Sequence, residues 1–377
     1  MQVSRPVQQL QRFDWILLFS ALVLFAFGIA AIYSVELSRE SADFLLLKKH
    51  LIALGVGTVA LLIMANANFL QLRSYGRILY LLGVVLMIAV LIFGSEIRGT
   101  TGWFDFGVFS FQPVEFMKIA LAVELARFFS ERARRRFGWK EIFGSGALVA
   151  IPVVLTAIQP DLGSAFLLVG MWVILMFFAG LRWHHATVLG VLVVLFAIIS
   201  WSFLLHDYQK ERLAVFINPD LDPLESGYNI NQAKIAIGSG QLFGRGLGFG
   251  SQSQLKFLPE SQTDFVFAVI AEELGFFGVL VILTSIGVFL SRALLLAYRG
   301  NDHFTTFLAI AIFGALFVQM SVNIGVNLAI FPATGVGLPF VSYGGSSLVM
   351  SFFMLGILES VAVRLRPGDR MERTWYN

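Results

Sequence analysis

WILLFSALVLFAFGIAAIYSV, residues 15–35, decides the fold class, because it contains no charged residue and is long enough to leave water entirely. As an α-helix rising roughly 1.5 Å per residue it extends about 32 Å, which matches a hydrocarbon core of roughly 30 Å. Arg5 and Arg12 precede it, and Gly28-Ile29-Ala30 forms a loose cleavage-site pattern, so a signal peptide is the competing assignment. The length of the run and the similar runs that follow favour an uncleaved first span. Across 377 residues, 57% are hydrophobic and 14% charged, with a mean hydropathy of +0.79, a balance that excludes a soluble globular domain. The runs are continuous rather than alternating, which favours helices over a barrel. No cysteine is present, so disulfide, thiolate-metal and thiol-nucleophile chemistry are excluded. The net charge of +3 gives no support to nucleic-acid binding.

Working outward, further spans are predicted at 51–65, 78–94, 113–129, 143–158, 164–180, 188–205, 265–290, 304–322 and 348–363. With the first, these make an all-α, polytopic membrane protein of about ten helices. Arg73 and Arg77 mark one connection as cytoplasmic, as do the cluster Arg127, Arg132, Arg134, Arg135, Arg136 and Lys140, then Arg182, Arg292 and Arg299, and finally Arg364, Arg366, Arg370 and Arg373. The arginine bias therefore places both termini on the cytoplasmic side. Residues 95–112 form a polar, aromatic-rich outer loop containing Trp103. The one sizeable region of low span character, 206–263, also falls outside, and a loop of that length is a default place for function. Within it, Lys234 begins a short amphipathic helix. The chain reads as a single domain, 1–377, whose extracytoplasmic loop 206–264 carries Asp264 at its end.

Charges inside apolar runs are the candidates for chemistry. Glu115 and Lys118 stand three residues apart, so a helix places them on one face as an ion pair, and a purely structural clamp explains them equally well. Glu124 is explained by Arg127. Asp161 sits between proline and glycine in QPDLG, a tight reentry turn or a polar cavity lining. Asp264 follows Ser261-Gln262-Thr263 directly before a span, where an N-cap accounts for it without catalysis. The same helix end keeps a carboxylate ionised and able to bind a cation or accept a proton. Glu272 and Glu273, two turns deeper, must be paired, protonated or solvated. Asn323 and Asn327 face the cavity or bond neighbouring helices.

Several familiar motifs fail in detail. The glycine-rich run 238–250 has neither the lysine of a phosphate loop nor dinucleotide spacing, so its glycines read as flexible turns, with Arg245 and Lys256 able to meet a diphosphate as point charges. Ser253-Gln254-Leu255-Lys256 lacks the companions of a penicillin-binding Ser-x-x-Lys site. The five histidines lack metal spacing, and no serine elbow occurs.

FQPVEFMKI, QPDLG, HDYQKER, GSGQLFGRGLGFGSQSQLKFLPE, TDFVFAVIAEELG and LPFVSYGGSS, in that order, together resemble the SEDS family of shape, elongation, division and sporulation proteins, on its rod-shape-determining (RodA) branch. The resemblance implies a multi-pass glycosyltransferase of the bacterial cytoplasmic (inner) membrane. Such an enzyme polymerises lipid II, the undecaprenyl-diphosphate-linked disaccharide-pentapeptide, into peptidoglycan with a class B penicillin-binding protein transpeptidase as partner. It further implies Asp264 as the catalytic carboxylate, Glu115 and Lys118 as a supporting pair, and supporting roles for Trp103 and Asp161. Asp264 would take the proton of the acceptor hydroxyl. A water-exposed aspartate is a weak base, so burial or a divalent cation, Mg or Mn, would assist it. Lys118, Arg245, Lys256 or that cation would meet the leaving diphosphate, and no nucleotide, flavin or haem is expected. The rival classes are a lipid II flippase and a noncatalytic scaffold for the penicillin-binding partner.

Overall fold

The computed structural model describes residues 12–38, 44–97, 99–107, 109–133, 137–199 and 226–365, with isolated positions 210, 214 and 215. HDYQKER, apart from Lys210, and the arginines at 134–136, 366, 370 and 373 lie outside the described residues. Among the described residues, ten long helices occur where the apolar runs predict them: α1 Trp15–Leu37, α2 Leu45–Asn66, α3 Phe69–Phe93, α4 Pro113–Arg132, α5 Trp139–Ile158, α6 Leu162–Phe178, α7 Trp183–Ile199, α10 Val266–Tyr298, α11 His303–Asn327 and α12 Gly345–Arg364. Among the described residues of the long insert, two shorter helices fold, α8 Ser226–Ser239 and α9 Ser251–Gln254. Seven of the ten are long and apolar enough to cross a membrane by length and composition alone. α4 is not among those seven. It carries Glu115, Lys118, Glu124 and Arg127, and all but the last are buried, because α3, α5, α6, α11 and α12 surround it.

Two boundaries differ from the sequence reading. α3 begins nine residues before the predicted Ile78, with Asn68 capping Leu70 N, so Arg73 and Arg77 lie in its second and third turns rather than in a loop. Residues 95–112 fold as a small antiparallel sheet, β1 Ser95–Ile97, β2 Thr100–Asp105 and β3 Ser110–Phe111, in the order β1-β2-β3. Ser95 stands opposite Trp103, and Phe104 opposite Phe111.

Polar ties fasten the two ends of the bundle. At one end Asp14, which caps α1, accepts from Arg292 of α10 at 2.6–3.1 Å, while its backbone N–H donates to Glu359 of α12 at 2.9 Å. Ser360 and Arg364 donate to the carbonyls of Ala67 and of Ala65 and Asn66 at the end of α2. The opposite end gathers the starts of α4, α6, α10 and α12 and the end of α11, and there the candidate residues lie.

The glycine-rich run is not a free turn. α10 breaks at Gly275, whose φ of 64° and ψ of −162° suit glycine almost exclusively, and residues 241–246 fill the gap. Phe276 N and Phe277 N donate to Gln241 O and Leu242 O at 2.8 and 3.2 Å, while Arg245 N and Gly246 N donate to Glu272 O and Glu273 O at 3.0 and 2.9 Å. The backbone groups orphaned by the break are thereby satisfied, as a helix interrupted in lipid requires. A Cβ at Gly240 or Gly244 would overlap the Ala271 or Glu273 carbonyl. Glu272 accepts from Gln252 N and Ser253 N at the start of α9, and Glu273 from Ser34, Ser253 and Gln254, so both buried carboxylates act as clamps on the insert.

Candidate active site

Asp264 occupies the last turn before α10, and the chain holds its backbone from three sides. Its N–H donates to Glu260 O at 3.1 Å, and its carbonyl accepts from Asn323 Nδ2 at 2.9 Å and Asn327 Nδ2 at 2.8 Å. On one side Thr263 O accepts from Ser342 Oγ at 2.5 Å, and Gln262 O accepts from Tyr343 N at 2.8 Å. The N-cap reading of Asp264 is corrected here. The N-cap position is Phe265, and the capping acceptor comes from another helix: Asn327 Oδ1 takes the Ala268 N–H at 3.0 Å, the third residue of the helix. The Asp264 carboxylate is half-buried and lies over Gly335, where a Cβ would come within 4.0 Å of Oδ2.

Glu115 and Lys118 form the pair that their spacing predicts. Pro113 opens α4, Glu115 lies in its first turn, and Lys118 Nζ is 2.8 Å from Glu115 Oε2. Both are buried, which removes the screening that makes surface pairs weak. Lys118 also donates to Gln319 Oε1 at 2.7 Å, and Gln319 Nε2 donates to Gly337 O at 3.0 Å. One turn along α11, Asn323 Nδ2 donates to Val336 O at 2.8 Å as well as to Asp264 O. Gln319, Asn323 and Asn327, spaced by four, thus make one polar stripe on an otherwise apolar helix and join the ion pair to the Asp264 backbone. Gln319 escaped the sequence reading, although this spacing among apolar neighbours is its signal.

Asp161 caps α6: Oδ1 accepts from Ser164 N at 2.9 Å, and Oδ2 from Ser164 Oγ at 2.6 Å and Gln112 Nε2 at 3.3 Å. Burial pushes its carboxyl above the usual range, and the two Ser164 bonds oppose that shift. Nearby Glu115 raises it further, whereas Lys118 lowers it. The turn after it packs on the segment beneath Asp264, since a Cβ at Gly163 would overlap Thr334 O. Residues 334–337 are thus approached by Asp264 directly, by the turn after Asp161 through Gly163, and by the Glu115–Lys118 pair through Gln319. Thr334 Oγ1 and Asn323 Oδ1, both buried, find no partner among the described residues, so hydrogen-bonding capacity remains beside the cluster. No group of three or more His, Asp or Glu side chains that could hold a metal occurs among the described residues.

This arrangement joins a carboxylate at a helix start to a buried cation and unmet polar groups, and it coincides with clear relatives. A profile of the FtsW/RodA/SpoVE group, described as cell cycle protein, matches residues 14–366. The chain belongs to the FtsW/RodA/SpoVE family. It is 38% identical over 349 residues to the Peptidoglycan glycosyltransferase MrdB of Escherichia coli K12, covering 92% of this chain and 90% of that one. It is 36% identical to the Stage V sporulation protein E of Bacillus subtilis 168, covering 93% and 96%. Among solved structures it is similar to a chain of a peptidoglycan synthase complex described as coordinating polymerization and crosslinking, with a TM-score of 0.78, 31% identity and coverage of 93% and 97%. It is also similar to the rod shape determining protein RodA of Thermus thermophilus, with a TM-score of 0.69, 30% identity and coverage of 93% and 96%.

The remaining sequence candidates are Trp103, Arg245 and Lys256. Trp103 is half-buried in β2, next to Gly102, where a Cβ would stand 3.3 Å from Gln159 Oε1, so it borders the turn that carries Asp161. Arg245 is exposed in the run that fills the α10 break. Lys256 is exposed too, and with Ser38, Ser253, Glu260, Ser261 and Gln262 it lines a cavity of about 190 Å³ alongside the turn that leads to Asp264.

Proposed function

We propose that this chain polymerises lipid II into the glycan strands of peptidoglycan during cell elongation and cell-shape maintenance, with Asp264 as its catalytic carboxylate. The observation that carries the reading is the convergence of Asp264, Asp161 and the Glu115–Lys118 pair on residues 334–337, in a chain that matches a peptidoglycan glycosyltransferase over 92% of its length. The arginine bias supports placing this end on the outer face of the bacterial inner membrane, with both termini and Arg73, Arg77, Arg127 and Arg292 at the cytoplasmic end. The chain then acts as one domain whose outer loop, 206–264, delivers Asp264. A class B penicillin-binding protein transpeptidase is the partner that crosslinks the product, a pairing supported by the likeness to the synthase complex that couples the two activities.

In the reaction, Asp264 takes the proton from an acceptor sugar hydroxyl as that oxygen attacks the anomeric carbon of the donor. The new C–O bond forms while the bond to the polyprenyl diphosphate breaks, and the diphosphate leaves with the electron pair. Lys118, held by Glu115 and Gln319, sets a fixed positive charge behind the cluster, and Lys256 and Arg245 lie on the loop that the diphosphate would meet. Magnesium is commonly held by one or two carboxylates plus substrate phosphates, so a divalent cation here would take Asp264 and the diphosphate as ligands and supply charge to the leaving group. Purified chain incubated with lipid II alone tests the reading: glycan strands and free polyprenyl diphosphate are expected, whereas a flippase or a scaffold yields neither.

A further inference from the structure

At the end of the bundle opposite Asp264, Arg73, Ser74 and Arg77 of α3 and Arg127 and Glu131 of α4 line an open cavity of about 540 Å³. Its charges are unequally matched. Arg127 donates to Glu124 at 2.5 and 2.9 Å and to Glu131 at 3.0 Å, which occupies its fork. Arg73 and Arg77 are exposed and enter no ion pair among the described residues. The lining holds three guanidinium groups and one carboxylate, and Arg132 also reaches Glu131 at 3.8 Å, so the balance of charge here is positive. The wall is tight at Gly76, where a Cβ would lie 3.1 Å from Glu124 Oε2, so α3 and α4 hold the arginines at a fixed separation from the Glu124–Arg127 pair.

The same face of α3 continues toward the membrane centre as Leu81, Val85, Ile88 and Ile92, each three or four residues on and each between 44% and 69% exposed. Exposed Tyr75, an interfacial residue type, flanks the arginines. One stripe thus runs from two uncompensated guanidinium groups to an apolar track, which is the order of groups along a phospholipid.

We propose that this cavity is a site for an anionic phospholipid, whose singly charged phosphodiester sits between Arg73 and Arg77 and whose acyl chain lies along Leu81, Val85, Ile88 and Ile92. The guanidinium groups of Arg73 and Arg77, which enter no ion pair among the described residues, match the negative charge of a phosphodiester, and Ser74 adds a hydroxyl donor. A general cytoplasmic bias in arginine explains positive charge at this end, but not the fixed spacing, the shared cavity or the aligned apolar track. The proposal does not depend on the glycosyltransferase activity.

The test is native mass spectrometry of the full chain, released from detergent with phosphatidylglycerol, phosphatidylcholine or inorganic phosphate, compared with Arg73→Gln/Arg77→Gln and with Lys48→Gln/Lys49→Gln at the other end. Each arginine near a headgroup contributes about 1 kcal/mol, so the arginine double variant is expected to bind phosphatidylglycerol about thirtyfold more weakly. The lysine variant and the wild type should bind it equally, and phosphatidylcholine should bind weakly to all. Equal retention of phosphatidylglycerol by the arginine variant overturns the proposal, as does wild-type chain that does not distinguish it from phosphatidylcholine. Binding of inorganic phosphate as tight as that of the lipid also overturns it, in favour of a soluble anion or acidic protein ligand.

Discussion

Removing the Lys118 ammonium while leaving the Glu115 carboxylate is the perturbation whose size the structure sets most closely. Glu115 is 7% exposed and Lys118 2%, their charged atoms are 2.8 Å apart, and Lys118 also supplies the donor to Gln319. Lys118→Met fills similar volume but strands a buried carboxylate, an event that costs about 3–5 kcal/mol, roughly a thousandfold in the unfolding equilibrium. Glu115→Gln strands the ammonium less severely, because Gln319 Oε1 still accepts from it. The double variant Glu115→Gln/Lys118→Met carries no buried charge, so it is expected to recover most of the loss and to show a coupling of about 2 kcal/mol or more in the double-mutant cycle. Equilibrium unfolding in mixed detergent micelles measures all four proteins. If the double variant loses the sum of the two single losses, the pair is not one coupled buried unit and the reasoning about it fails.

The other perturbations test the devices around Asp264 and the α10 break. Asn327→Ala strands the Ala268 N–H and removes one donor from Asp264 O, an expected loss of about 1–3 kcal/mol in the same unfolding assay; wild-type stability would contradict the cap supplied by α11. Asn327→Asp keeps the acceptor for Ala268 and should recover part of that loss, while polymerisation slows because one of the two side-chain donors to Asp264 O is gone. Gly275→Ala imposes a backbone region nearly closed to other residues, at about 1–3 kcal/mol, and drives a methyl into Gly244 N. Gly287→Ala, on the same helix with open space beside it, should instead stabilise by about 0.5–1 kcal/mol. Thermal scans that rank the two alanine variants the other way would refute the account of the break.

Much of the architecture was legible because it is written in local patterns. Apolar runs of span length gave ten helices among the described residues, and the three-residue spacing of Glu115 and Lys118, and of Glu124 and Arg127, gave both ion pairs. What was not legible depends on contacts between distant segments. Nothing near Asp264 says that Asn327 supplies the cap, so a local rule assigned that role to Asp264 itself. Gly275 reads as one more small residue inside an apolar helix, and glycines 240–250 read as flexible turns, because the backbone ladder that joins them crosses more than twenty-five positions. Arg73 and Arg77 read as a loop because charge ends an apolar run, although Asn68 starts the helix before them. The residues themselves drew attention to Asp264 and Asp161, and the family resemblance gave them their expected roles; the structure adds the Gln319–Asn323–Asn327 stripe that joins Asp264 to the ion pair.

The central claim is that the Asp264 carboxylate performs glycosyl transfer while other groups hold it in place. The most direct measurement compares purified wild-type chain with Asp264→Asn, a change of nearly equal shape that removes the charge and the basic oxygen, in single-turnover polymerisation of labelled lipid II without a partner protein. The account predicts unchanged unfolding behaviour and a loss of glycan strand formation by at least about a hundredfold, the lower bound for removing a general base. Strand formation at the wild-type rate by a folded Asp264→Asn protein would contradict it.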